Sequence, residues 1–196
     1  MGRSNKKDIK EILHNSCMLF WNKGYAQTSI KDIEKATGLN PGSLYYYFKN
    51  KEVIFEKVLE HYVSTVVEPR LKEFLFTTKG NGLNNIQRVF DSVVEIPSEY
   101  RWIGCLMTNT SVEVQEIPKI KKKIQTIFDL FESGFLKQIN RVSVLKTKTL
   151  LERRKLAGYL LVAMEGFFVL VRLQNDTAQL KKYVSNALYP LKSALK

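Results

Sequence analysis

The chain has 196 residues, enough for one large domain or for a small one joined to a larger one. Its apolar fraction of 44% and charged fraction of 26% are those of a globular protein and exclude a disordered one. A net charge of +12 points to an anionic partner, of which nucleic acid is the commonest.

No strand pattern stands out, and a helical period runs through almost every segment, so an all-α fold is expected. A first helix is predicted over 8–23, with Ile9, Leu13, Ser16, Cys17 and Phe20 on one face and Gly24 ending it. Thr28 or Ser29 then caps a short helix that turns Ile30, Ile33 and Ala36 inward. Gly38 supplies the next turn and Leu39 plugs it. Asn40 suits an N-cap and Pro41 a first helical position, where its missing N–H is no loss. On the helix that follows, Leu44 and Phe48 share one face. The opposite face carries Gly42, Ser43 and Tyr46, flanked by Tyr45 and Tyr47. So much aromatic surface beside lysines suits a helix laid in the major groove of DNA, and the pair of short helices reads as a helix-turn-helix.

Lys51 opens a long fourth helix into the seventies, with Val53, Ile54, Val58, Leu59 and Tyr62 inward and Pro69 expected to kink or interrupt it. Residues 77–82 read as a linker. Five more helices are predicted near 83–96, 100–115, 118–140, 149–174 and 177–195, about nine in all. Ile117, Ile120, Ile124, Phe128, Phe131 and Phe135 form a long apolar stripe. Residues 156–171 are apolar on nearly every side, but they are short for a bilayer and interrupted by Glu165, so no membrane span is expected.

Cys17 and Cys105 have no disulfide-framework or zinc-finger spacing, and His14 and His61 lack ligand partners at metal spacing. No metal or cofactor is expected. With no nucleophile–base constellation or phosphate loop, the chain does not read as an enzyme. A polar, basic start argues against a secretory signal and leads to an expected cytoplasmic location.

The run from Ile12 to Leu59 resembles the DNA-binding domain of TetR/AcrR-family transcriptional regulators. The matching pieces are Leu19-Phe20, Gly24-Tyr25, Thr28-Ser29-Ile30-Lys31-Asp32-Ile33, Ala36-Thr37-Gly38-Leu39 and Gly42-Ser43-Leu44-Tyr45-Tyr46-Tyr47-Phe48-Lys49-Asn50-Lys51. The resemblance implies a homodimer with a DNA-binding domain over 1–52 and an effector-binding and dimerisation domain over 53–196. A second, weaker likeness is Gly104-Cys105-Leu106…Asn109…Glu113, similar to a stretch on the sixth helix of many members, some of them responsive to electrophiles or oxidants.

Carried over residue by residue, the resemblance sets Pro41, Gly42, Ser43, Tyr45 and Tyr46 against bases and backbone in the groove. Tyr47, Lys51, Lys31 and the backbone at Thr28 and Ser29 would hold phosphates. Packing against the first helix is the alternative for Tyr47. Many relatives carry lysine or glutamine at the position of Pro41, and histidine or tryptophan at that of Tyr46.

For the remainder, an apolar effector pocket is expected from Trp102, Met107, Phe128, Phe131, Met164 and Phe168. Asn109, Glu113, Glu165 and Arg172 are its candidate polar groups. Glu165 is expected to pair with Arg172 or to meet a ligand. Cys105 is either a buried small hydrophobe or an exposed low-pKa sensor, activated by Arg101 or by the lysines at 119–123; Cys17 reads as core. The dimer seam is expected from Tyr159, Ala163, Gly166, Phe167, Leu180, Tyr183, Val184, Ala187 and Leu188. The predicted activity is a repressor released from a palindromic operator by a small ligand or by modification of Cys105. The alternative is an effector-independent or architectural DNA-binding protein. Residues 1–52 carry a net +4, which leaves +8 for the rest, either a solvated face or an attraction for an anionic effector.

Overall fold

A computed structural model describes residues 8–97, 101–174 and 176–195; the expected start of a helix at residue 100 and the basic segment 1–7 lie outside them. Asp8 caps α1 (Ile9–Lys23) by accepting the Lys10 N–H, and the helix buries Ile12, Ser16, Cys17 and Phe20. Ile12, not Ile9, therefore leads its inner face; Ile9 is left exposed. Ser29, not Thr28, caps α2 (Ile30–Thr37), in a reciprocal capping box with Asp32. Gly38, at φ +63°, makes the left-handed turn into α3 (Pro41–Tyr47). Leu44 and Phe48 drop into the small core made by Ile12, Phe20, Ile33 and Phe55, with the Phe20 and Phe55 rings 4.8 Å apart, edge to face.

The long helix predicted from Lys51 is present and is not broken at Pro69. α4 (Lys51–Tyr62) passes into a π-helical turn (Val63–Val67), a short α-helical stretch (Glu68–Arg70) and a second π-helical turn (Leu71–Leu75). An interior proline offers no N–H and crowds the carbonyl four residues back. Widening the helix on both sides relieves this: the Glu68 N–H reaches back to the Val63 carbonyl, and the Phe76 N–H donates to Leu71 at 2.7 Å.

Residues 77–82 are not a loose linker. The Arg141 guanidinium donates to the carbonyls of Thr77, Thr78, Lys79 and Gly80 at 2.6–3.3 Å. Buried Gln138 donates to Leu75 and Thr77, and Asn85 donates to Lys79 and to Gln138. The backbone there is gathered around one cation, so the turn is held as firmly as a helix end.

α5 (Gly82–Val94), α7 (Pro118–Ile139), α8 (Leu150–Val171) and α9 (Thr177–Ser193) form the helical body around Phe90, Phe135 and Phe167. The helix expected over 100–115 is shorter. Gly104, at φ +63°, breaks it, and α6 spans Leu106–Ser111 alone. Among the described residues no helix is long and apolar enough to cross a membrane.

Candidate nucleic-acid interface

α3 leaves the head surface through its tyrosines. Its N-terminus is closed by Asn40, whose side-chain oxygen accepts the Ser43 N–H at 2.7 Å. Tyr46 is 81% exposed and Tyr45 55%, while Tyr47 is half-buried. The Tyr47 ring stands edge-on to Tyr46, with centroids 5.4 Å apart, so one ring braces the other. Pro41 and Gly42 are exposed, and a Cβ built on Gly42 would meet the protein at no less than 3.6 Å. Folding does not require glycine there; close approach from outside is what its missing side chain permits.

The flanking positions are more occupied than expected. The Ser29 N–H and hydroxyl both donate to Asp32, whose carboxylate also pairs with Lys23 at 2.6 Å. Hydrogen bonds from Lys23 and Ser29 hold that carboxyl far below the usual carboxylate range. An anion of the chain itself thus sits at the α2 N-terminus. The Thr28 hydroxyl turns back to the Gly24 carbonyl at 2.6 Å and the residue is buried. The Lys51 ammonium donates to the carbonyls of Tyr25 and Thr28 at 2.9 and 3.0 Å and lies over the Tyr25 ring. Its first role is internal: it locks the turn between α1 and α2. Lys31 is exposed.

The head is fastened to the body through the segment 104–113. The Trp21 indole N–H donates to the Gly104 carbonyl at 3.1 Å, and Glu113 accepts the Ala26 N–H at 2.8 Å. Between these ties the Tyr62 hydroxyl donates to the Cys105 thiol at 3.6 Å, with Tyr62 edge-on to Trp21. Asn109 closes the loop by donating to Ile103 at 2.7 Å and accepting from Arg172. Gly104, Cys105 and Glu113 therefore join this segment to the head and α4, and Asn109 holds its loop. Sequence reasoning missed this because a carboxylate placed in a pocket and one that reaches across to another domain look alike in one dimension.

Cys105 does not meet the requirements of an exposed thiolate. It is 4% exposed, and burial pushes its thiol up from the ordinary range. Cys17 is core as expected, its thiol pushed up to about 12 by burial. Glu165 is not paired with Arg172: it accepts the Thr108 hydroxyl at 2.6 Å, while Arg172 donates to Asn109 and to the Trp102 carbonyl. Desolvation lifts the Glu165 carboxyl to about 7.

The predicted effector residues do not share one pocket. Phe131, Met164 and Phe168 close on a void of about 20 Å³, room for about one water. Phe128 lies on an outer groove with Glu165, Trp102 is exposed, and Met107 faces a separate cavity beside α4. Four predicted dimer residues, Phe167, Leu180, Val184 and Leu188, are 2% exposed or less, so their side chains are spent within the same protomer. Ala163, Tyr183 and Ala187 are half-buried; Tyr159 and Gly166 face outward. Among the described residues no group of three His, Cys, Asp or Glu could hold a metal ion.

Residues 12–58 match a family model described as bacterial regulatory proteins, tetR family. That match takes in α1 to α3 and most of α4. The chain is 25% identical over 170 residues to the nucleoid occlusion factor SlmA of Actinobacillus pleuropneumoniae serotype 5b (strain L20), covering 85% of this chain and 80% of that protein. A shorter match, 40% identical over 62 residues, is to the HTH-type transcriptional repressor ComR of Escherichia coli (strain K12), covering 32% of this chain and 30% of ComR. Head and body together superpose on the TetR family transcriptional regulator CifR, a cysteine mutant complexed with 26-bp double-strand operator DNA. The TM-score is 0.81 at 19% identity, covering 95% of this chain and 98% of CifR. The head and the helical body thus share the fold of CifR along nearly their whole length.

Proposed function

We propose that the chain is a homodimeric transcriptional repressor, acting in the cytoplasm, that reads a palindromic operator through α3 and is released by a non-covalent small effector. The observation that carries this reading is the exposure of Tyr46 and Tyr45 on a helix whose other face is locked into the head core. Rings with polar tips, beside a glycine that admits close approach, supply stacking, apolar and hydrogen-bonding contacts to base edges. The match of the head to the TetR family supports it, as does the basic balance of the chain.

Dimerisation is supported by an outward stripe that runs along α8 and into the turn after it. Val162, Val169 and Leu173 are 71%, 52% and 82% exposed, and nothing lies within 4 Å of a Cβ built on Gly166. Such a stripe at helical spacing, left bare on a monomer, favours a second copy. Two heads would then cover two half-sites. Because Cys105 lies beneath Tyr62, release by its covalent modification is the less supported route.

Fluorescence anisotropy with duplex DNA from the region upstream of the gene tests the proposal. Wild type should bind an inverted repeat with strong salt dependence, and Tyr46→Ala should lose specific binding while remaining a folded dimer. Unchanged affinity for Tyr46→Ala would refute the assignment of α3. The likeness to a protein named as a nucleoid occlusion factor favours a second reading, an architectural DNA-binding protein that no effector releases. A metabolite panel that never weakens operator binding would favour it.

A further inference from the structure

α4 and α7 are joined by a ladder of ion pairs in register. Lys119 meets buried Glu56 at 2.7 Å, and one turn on Lys123 meets Glu60 at 2.5 Å. At the next turn the register offers Val63, just past α4, against Thr126 and Ile127 on α7. No ion pair stands there; instead the helices part around a cavity of about 210 Å³. Leu59, Met107 and Ile124 complete its apolar wall, and Glu60 and Lys123 form its rim. That space is too small for a helix or strand of another protein and is of the order of a compact ring system.

The rim pair Glu60–Lys123 has a second cation, Lys57, behind it. The Glu60 carboxylate is shared between Lys123 and Lys57, two ammonium groups for one carboxylate, and hydrogen bonds from these lysines hold its carboxyl below the usual range. We infer that this cavity binds a small aromatic carboxylate, its rings against Val63, Met107 and Ile127 and its anionic head beside Lys123. The inference rests on the regulator reading for its purpose but names a site apart from the aromatic interior, which is filled. The cavity touches the two elements that hold the head. Leu59 lies on α4, which packs on α1, Val63 on the turn that continues it, and Met107 on α6, within the segment tied to Trp21 and Ala26. Val63 also opens a π-helical turn, whose looser register yields more readily than an α-helix.

Titration calorimetry of the full-length, DNA-free protein with 1-naphthoate, 1-naphthol and 1-naphthylmethylammonium tests this. Saturable binding is expected for naphthoate, weaker binding for naphthol and none for the ammonium compound. Ile127→Trp, which fills the cavity from a half-buried position, should weaken naphthoate by more than about tenfold. Thr126→Trp, on the exposed rim, should do the same should the first variant misfold. Lys123→Met should weaken naphthoate about fivefold and leave naphthol within about twofold. Three results would each overturn the inference: no saturable naphthoate binding, binding indifferent to both tryptophan variants, or equal binding of the ammonium compound. DNA is absent from the titration, so its failure leaves the operator reading intact, and a protein that ignored DNA would leave the cavity standing.

Discussion

The Glu113 carboxylate accepts the backbone N–H of Ala26 across 87 residues of sequence, at 2.8 Å, and so ties the end of the α6 segment to the turn between α1 and α2 of the head. Gly24 belongs to the same contact: a Cβ there would lie 2.7 Å from a Glu113 oxygen, on a backbone at φ +85°. Glu113→Ala should cost about 1 kcal/mol, since a charged acceptor is lost at a partly exposed site. It should also speed hydrogen exchange at Ala26 selectively. Gly24→Ala should cost more, through strain and collision together. Unchanged exchange at Ala26 in Glu113→Ala would remove this tie from the account of head–body coupling.

Lys51 separates a structural role from a phosphate contact. It satisfies the carbonyls of Tyr25 and Thr28, so Lys51→Met is expected to destabilise the head by about 1–3 kcal/mol and to weaken DNA binding through that loss. Guanidinium denaturation beside a salt titration of DNA affinity decides the matter. Full stability with a salt slope shallower by about one would make Lys51 a phosphate ligand instead.

Glu165 predicts a pH dependence. Its folded carboxyl titrates at about 7, against about 4.3 in an unfolded chain. Between those values the folded protein binds more protons than the unfolded one, so stability falls as pH rises from about 4.3 towards 7, by roughly 2–3 kcal/mol. Glu165→Gln keeps a hydrogen-bonding partner for Thr108 and should flatten the profile of melting temperature against pH in that window. A wild-type profile that rises over the same window would contradict it.

Cys105 should be slow to react. With its thiol buried beneath the Tyr62 hydroxyl and shifted upward by desolvation, iodoacetamide should label it at the rate of local opening, not that of a free thiolate. Quinone or aldehyde should release DNA equally from wild type and Cys105→Ser. Rapid stoichiometric labelling of the folded protein at Cys105 would restore the covalent route.

The head was readable in one dimension because its elements are punctuated locally. Asn40-Pro41 opens α3, Gly38 turns into it, and Leu44 and Phe48 repeat at one helical turn. Even so, Ile12 and Ile9 exchanged places, because residues three apart share a broad face and only the position of α4 decides which is covered. The body was less legible. The break at Gly104 and the passage through Pro69 turn on backbone geometry that periodicity does not register. Leu180, Val184 and Leu188 on α9 are covered by their own chain for a related reason: an apolar stripe says that something covers it, not whether that is the same chain.

Helical period, caps and turns in the sequence were sufficient to determine an all-helical protein with an exposed aromatic helix after Gly38, since these signals act over a few residues. Tertiary structure alone decided that Glu113 reaches the head, that Glu165 meets Thr108, that Arg141 gathers a loop, and that α4 and α7 part beyond Lys123. Each of these joins residues far apart along the chain, and their meeting depends on how rigid helices stack, which no local preference encodes.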